Sequence, residues 1–113
     1  MKKYSMFIGR SQPWHKGHRW LIDQRLNLGF NVCIAIRETK LDDSNPFSSE
    51  EVKENIEREL SDLVKDKKVR VVIIPDIESI NYGRGVGYDI IEHIPPKDIG
   101  KISATEIRKN LKK

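Results

Sequence analysis

The chain has 113 residues, of which 37% are hydrophobic and 34% are charged, and its formal net charge is +4 at pH 7. A single domain of this size holds one core, and no segment approaches the roughly 18 consecutive apolar residues of a membrane-spanning helix. The first ten residues lack the apolar stretch of a secretory signal, so we expect a cytoplasmic protein whose basic excess suits an anionic partner.

The first part of the chain predicts alternating strands and helices. The apolar run 4–9 predicts a strand, and residues 16–28 have the apolar spacing of a helix. Gly29 follows where a helix-terminating glycine is expected. The continuous apolar run 31–37 predicts a strand covered on both faces. It contains Cys33, the only cysteine of the chain, so an internal disulfide is excluded. We expect Cys33 to be buried and unreactive.

A polar loop over 38–47 leads into the clearest helix, over 48–64. Ser48 and Glu51 have the spacing of a capping box ahead of an apolar stripe. The remaining segments are predicted as a strand over 68–75, a glycine-rich loop over 76–87, a strand over 88–94 and a helix over 103–113.

This order of elements predicts an α/β fold in one domain over 1–113. Short strand–helix–strand units favour a mostly parallel, four-stranded sheet with helices on both faces. Ligands of such sheets bind outside the carboxyl ends of the strands. The segment that follows the first strand, 9–18, is therefore the first place to look for a site.

Two of the three histidines, His15 and His18, lie three residues apart in the stretch "GRSQPWHKGHRW". Such spacing puts both on one face of a first helical turn, where both rings could donate to one phosphate. A half metal site with His93 is a weaker interpretation, because zinc usually takes four ligands. The third alternative is that His15 and His18 have a merely structural role. For His93 a structural role is the favoured interpretation.

The residues around the histidines support a phosphate site. Gly9 allows a sharp exit from the strand, and Pro13 stiffens the turn. A helix N terminus offers unpaired N–H groups and a partial positive charge. Arg10 and Lys16 add full positive charges there.

The last predicted helix has the same chemistry at its start. Ser103 and Thr105 supply hydroxyls at its N terminus, and Arg108 lies one turn further on. Two such helix starts in one small domain indicate a polyphosphate ligand. The tail "RKNLKK" has no interleaved aromatic residues, so we expect solvated charges there and no nucleic-acid binding.

"HKGH" at 15–18, followed by "ISATEIR" at 102–108, resembles the HxGH nucleotidyltransferase superfamily. The longer "GRSQPWHKGH" is most similar to the start of nicotinamide-mononucleotide adenylyltransferases of the archaeal type. The resemblance implies a Rossmann-like fold and transfer of a nucleoside monophosphate, AMP from ATP, to a small phosphorylated acceptor such as nicotinamide mononucleotide, with release of pyrophosphate. Mg²⁺ would enter with the triphosphate, held by substrate oxygens and water, so no protein metal cluster is expected.

The resemblance also implies roles for individual residues. His15 and His18 would contact the triphosphate and stabilise charge that develops during the reaction, with Arg108 as a further cation. The nucleotide-binding residues implied are Gly9, Arg10, Ser11, Gln12, Lys16, Gly17, Ser103 and Thr105.

Two departures from the adenylyltransferase pattern concern the substrates. Ser11 and Trp14 stand where that pattern has phenylalanines, and the loop 76–87 replaces a helix and a strand. Candidate acceptor-binding residues are Trp14, Arg37, Lys40, Asp76 and Arg84. The alternatives are that Arg37 and Lys40 are solvated charges, that Asp76 caps the loop, and that Arg84 belongs to an ordinary turn.

Two other functions stay open from the sequence. One is a CTP-dependent cytidylyltransferase that acts on a phospho-alcohol. The other is a non-catalytic nucleotide-binding or small basic nucleic-acid-binding module. Exposed sheet edges favour homo-oligomers.

Overall fold

A computed structural model describes residues 3–85 and 87–100. The elements in chain order are β1 (Tyr4–Gly9), α1 (Lys16–Leu26), β2 (Asn31–Arg37), α2 (Ser49–Glu59), α3 (Ser61–Lys65), β3 (Val69–Ile74) and α4 (Lys97–Gly100). The α/β class is confirmed. The helix predicted over 103–113 lies outside the described residues.

The sheet has three parallel strands in the order β1–β2–β3. Its register places Phe7 beside Ile34 and Ile34 beside Val71. All three strands therefore end at one edge, and the loops that follow them meet there. The parallel arrangement predicted from the order of elements is confirmed.

The core lies between the sheet and one layer of helices. β2 is its centre, because Val32, Ile34 and Ile36 are each at most 3% exposed. The side chains that cluster with them come from α1, α2, the following turn and β3: Ile22, Val52, Ile56, Leu60, Val69 and Val71. Continuous apolar runs became strands here because a central parallel strand is enclosed by its neighbours and by the helices.

The prediction of helices on both faces is wrong for the described residues. Successive right-handed crossovers that move in one direction across a sheet put their helices on the same side, and α1 and α2 share one core cluster. Side chains alternate between the two faces of a strand. On β1 the opposite face carries Tyr4, Met6 and Ile8, and Met6 is 57% exposed.

The predicted fourth strand is also not formed, since residues 88–94 have no regular secondary structure. Ile90 and Ile94 are 74% and 79% exposed. A strand persists only when its backbone groups pair with a neighbour. This segment lies between Gly87, at φ 75°, and two prolines that cannot donate to a ladder. Its apolar composition alone suggested a strand.

The end of α1 confirms the role predicted for Gly29, which has φ 89°. Its N–H donates to the Leu26 carbonyl at 3.0 Å, and the Phe30 N–H donates to the Arg25 carbonyl at 3.1 Å. Together these two bonds form a Schellman motif, in which a left-handed glycine lets the chain satisfy the last helical carbonyls.

The capping box at the start of α2 is confirmed. The Ser48 hydroxyl accepts from the Glu51 N–H at 3.2 Å, and the Glu51 carboxylate accepts from the Ser48 N–H at 3.3 Å. The single helix predicted over 48–64 is instead two, because Leu60 leaves helical geometry at φ −105° and ψ 25°. Leu60 stays buried, so the apolar stripe continues across the break and does not reveal it.

Within the described ranges, none of the helices has the length and apolar character needed to cross a bilayer.

Candidate functional site

The loop between β1 and α1 lies at the carboxyl edge of the sheet, as expected. Its turn is made at Ser11, which adopts a left-handed backbone at φ 53° and is buried. We expected the chain to turn sharply at Gly9, but the residue with a positive φ in this loop is Ser11. A Cβ atom at Gly9 would meet nothing within 4 Å, so the space beside the end of β1 is open.

His15 is the N-cap of α1 and has extended backbone geometry at φ −146°. Its Nδ1 accepts a hydrogen bond from the Gly17 N–H at 3.0 Å. We predicted His15 inside the first turn, but it lies one residue before the helix. Gly17 leaves room for this cap, because a Cβ there would lie 2.7 Å from His15 Cε1 and 3.0 Å from its Nδ1, and the ring would have to shift.

His18 completes the cap from the other side. Its Nδ1 accepts from the His15 backbone N–H at 3.1 Å, as the third helical residue does in a capping box. The two imidazole rings lie 4.0 Å apart between centroids at 45°. The structure therefore brings the two predicted histidines together.

These hydrogen bonds fix where the ring protons are. A neutral imidazole has one N–H and one acceptor nitrogen. Because Nδ1 accepts a backbone bond in both His15 and His18, we assign both protons to Nε2. Each ring thus presents one N–H donor away from the helix backbone.

Burial keeps both rings neutral. It lowers the pKa of His18 from 6.5 to about 4, with a smaller effect from the charge of His15. It also lowers the pKa of His15. The helix start therefore offers two neutral donors at pH 7, beside the partial positive charge of the helix N terminus.

Trp14 packs directly on this pair. Its indole stacks on the His18 ring, with 5.0 Å between centroids and 20° between planes. From the sequence, Trp14 is a departure from the adenylyltransferase pattern and a candidate acceptor-binding residue. Its contact with His18 places it beside the candidate site.

Gln12, predicted to bind nucleotide, is buried and braces a second loop. Its side-chain amide donates to the Phe47 carbonyl at 2.8 Å and accepts from the Phe47 N–H at 3.0 Å. Arg10 makes a parallel link, donating to the Asn45 side-chain oxygen at 3.2 Å. Asn45 and Phe47 were not predicted as site residues, because "SNPF" carries only a turn signal.

The acceptor candidates are arranged differently. At the ends of β2 and β3, Arg37 Nη1 lies 3.8 Å from Asp76 Oδ1. The Nε of Arg37 is buried and has no hydrogen-bond partner among the described residues. Lys40 and Arg84 are both exposed, and Arg84 lies in a turn. The structure thus pairs Arg37 with Asp76 at the sheet edge.

Other predicted residues have a simpler placement. Lys16 is exposed as the first residue of α1. Cys33 is buried, as expected, and burial raises the pKa of its thiol. Ser103, Thr105 and Arg108 lie outside the described residues.

A metal site with His93 gains no support. Over residues 3–85 and 87–100, no three His, Cys, Asp or Glu side chains are grouped so that they could hold a metal ion. His93 instead stacks on Phe7, with 6.0 Å between ring centroids. This contact agrees with the structural role favoured for it.

The fold and the site together define a parallel α/β domain with paired neutral imidazole donors at a helix start. In comparison with known proteins, the chain is 31% identical over 97 residues to a Pyrococcus furiosus protein named nicotinamide-nucleotide adenylyltransferase. The match covers 84% of this chain and 50% of that protein, so the chain spans about half the length of its relative. No family model and no solved structure matches.

Proposed function

We propose that this protein is a nucleotidyltransferase that moves AMP from ATP onto a small phosphorylated acceptor, such as nicotinamide mononucleotide, and releases pyrophosphate. The observation that carries the proposal is the reciprocal cap, which leaves an Nε2–H donor on both His15 and His18. The similarity to an adenylyltransferase over most of the chain supports the same class of reaction.

In this reaction a phosphate oxygen of the acceptor attacks the α-phosphorus of the triphosphate, which enters as its magnesium complex. The bond from the α-phosphorus to the bridging oxygen breaks, and pyrophosphate leaves. Catalysis of such transfers rests on positioning and on stabilising charge at the phosphoryl oxygens. His15 and His18 have the donors for this and need no proton transfer of their own.

Charged groups near the cap would collect the substrates. Arg10 precedes the histidines in the β1–α1 loop, and Lys16 lies between them at the start of α1. For the second half of the triphosphate site we retain Ser103, Thr105 and Arg108 on the strength of the sequence motif.

Arg37 is our candidate for the acceptor phosphate. Its buried Nε lacks a hydrogen-bond partner among the described residues, and Asp76 beside it could orient the guanidinium. An unsatisfied buried donor is unfavourable, so an incoming oxygen would stabilise it.

Pyrophosphate release measured with purified protein tests the proposal. ATP with nicotinamide mononucleotide should give release, and His15→Ala should reduce it strongly. CTP with a phospho-alcohol is the comparison for the cytidylyltransferase alternative. No release with any pair of nucleoside triphosphate and phosphorylated acceptor would contradict the proposed function.

A further inference from the structure

Two clefts open beside Trp14, between the β1–α1 loop and helix α2. The smaller has a volume of about 150 Å³ and the larger one of about 400 Å³. Trp14 and Glu59 line both clefts. The two clefts are therefore neighbours that share a wall.

The smaller cleft has apolar walls and polar groups. Trp14, Phe47 and Val52 supply the apolar and aromatic surfaces. The polar groups are Ser11 in the β1–α1 loop and Asn55, Arg58 and Glu59 on α2. An apolar slot with a few polar groups is the usual lining of a small-molecule site.

The size of the smaller cleft suits one aromatic ring. A cavity of about 150 Å³ is enough to hold benzene. Trp14 is already oriented for stacking, because its contact with His18 fixes the plane of the indole. The smaller cleft is lined by the indole, so a flat ring that enters this cleft meets Trp14.

The larger cleft connects this ring site to the capped helix start. It is lined by His15, Lys16 and Arg19 in addition to the shared residues. Arg19 is paired with Asp23 at 2.9 Å, and the shared Glu59 is an acid. The groups that suit a phosphate joined to the ring through a sugar are therefore Lys16 and the His15 N–H. A nucleotide matches that combination of parts.

We propose that the cleft between Trp14 and Asn55 binds the planar heteroaromatic ring of one of the two nucleotide substrates, stacked on Trp14. This inference rests on the proposed function, since the ring is that of a substrate. The ring has two sources, the base of the donor or the ring of the acceptor, and both would place an attached phosphate near His15.

Tryptophan fluorescence tests the ring site directly. The chain has two tryptophans, so Trp20→Phe leaves Trp14 as the only reporter. Quenching by ATP but not by nicotinamide mononucleotide would identify the donor base, and the reverse pattern the acceptor ring. Ribose 5-phosphate, which has no aromatic ring, should leave the signal unchanged. Equal quenching by ribose 5-phosphate, or none by either nucleotide, would overturn the inference.

A cleft-filling variant provides a second test that leaves the histidines intact. Asn55 is exposed on α2, so Asn55→Trp fills the cleft with little risk to folding. We expect the KM of the nucleotide that binds there to rise about tenfold, the size of one lost stacking contact, with kcat nearly unchanged. Glu54→Trp, at the exposed neighbouring position, is the matched control.

These measurements separate the ring site from the reaction. Normal pyrophosphate release with both KM values unchanged in Asn55→Trp would disprove the ring site and leave the proposed function standing. Specific quenching without pyrophosphate release would support the ring site and contradict the proposed reaction.

Discussion

The Nδ1 atom of His18 accepts a hydrogen bond from the backbone N–H of His15 at 3.1 Å, while His15 caps the same helix through Gly17. Each imidazole therefore has two separate roles. Nδ1 stabilises the helix start, and the proposed function uses the Nε2–H. Substitutions that imitate one nitrogen at a time can separate the two roles.

His18→Asn should keep the helix cap and lose the reaction. The asparagine side-chain oxygen can accept from the His15 N–H in place of Nδ1, but nothing replaces the Nε2 donor. We expect kcat to fall about 100-fold or more, as when one oxyanion donor is removed, with a small change in the free energy of unfolding. Steady-state pyrophosphate release and urea unfolding are the measurements. His18→Gln is the matched variant, because its amide nitrogen reaches further and partly replaces Nε2.

Gly17→Ala should lower activity without a large loss of stability. Alanine favours a helix over glycine by about 1 kcal/mol, and this gain offsets part of the lost cap. The new Cβ would lie 2.7 Å from His15 Cε1, so the ring must move. Gly29→Ala is the opposite control. At φ 89° it should destabilise the fold by about 1 kcal/mol and leave kcat unchanged. Full activity in Gly17→Ala would contradict the proposed position of His15.

Stability should fall as the pH is lowered from about 6.5 towards 4. In the folded protein the pKa of His18 is lowered from 6.5 to about 4, so in this window the unfolded chain binds more protons than the folded chain. The contribution of His18 is therefore complete above pH 6.5 and is lost as the pH falls. Urea midpoints measured from pH 7.5 to 4 should show a weaker slope for His18→Asn. Identical slopes for the two proteins would refute this assignment.

Gln12→Ala should destabilise the protein, although the resemblance implies that Gln12 binds the nucleotide. It removes both bonds to the Phe47 backbone in a buried position, and each stranded group costs about 1–3 kcal/mol. We expect the free energy of unfolding to drop by about 2 kcal/mol or more. Gln24→Ala is a suitable comparison, because Gln24 makes one bond to a backbone carbonyl within α1 and its loss should matter less. Unfolding measured by circular dichroism would report both changes.

Ser48→Ala should weaken α2 by about 1 kcal/mol, the usual value of an N-cap hydroxyl. The hydroxyl accepts from the Glu51 N–H. Ser61→Ala, at the exposed start of α3 where no side chain caps the helix, should change stability by less. A difference within error between the two variants in urea unfolding would argue against the capping role.

Local signals predicted the parts of the fold that depend on local chemistry. The Ser48 capping box and the terminating Gly29 act within a few residues. The continuous apolar composition of residues 31–37 indicates a buried strand. The unpaired segment 88–94 could not be predicted, since pairing depends on a partner elsewhere in the chain. The break at Leu60 was equally hidden, because it leaves the apolar stripe intact.

The candidate site divides in the same way. The spacing of His15 and His18 was enough to predict that their rings lie close together, and the centroids are 4.0 Å apart. Their reciprocal bonds to backbone N–H groups involve atoms that no spacing reveals. The side-chain bonds of Gln12 and Arg10 join positions 35 residues apart, and only the folded chain brings those loops together.

The neutrality of the two histidines has a consequence for how the proposed reaction responds to salt. Neutral N–H donors act over the length of a hydrogen bond and are barely screened, whereas exposed cations such as Lys16 attract a distant phosphate through a field that salt weakens. Added salt would therefore slow the arrival of nucleotide and leave the bound reaction almost untouched. The same neutral N–H groups would hold pyrophosphate less strongly than ion pairs would, and this would favour its release.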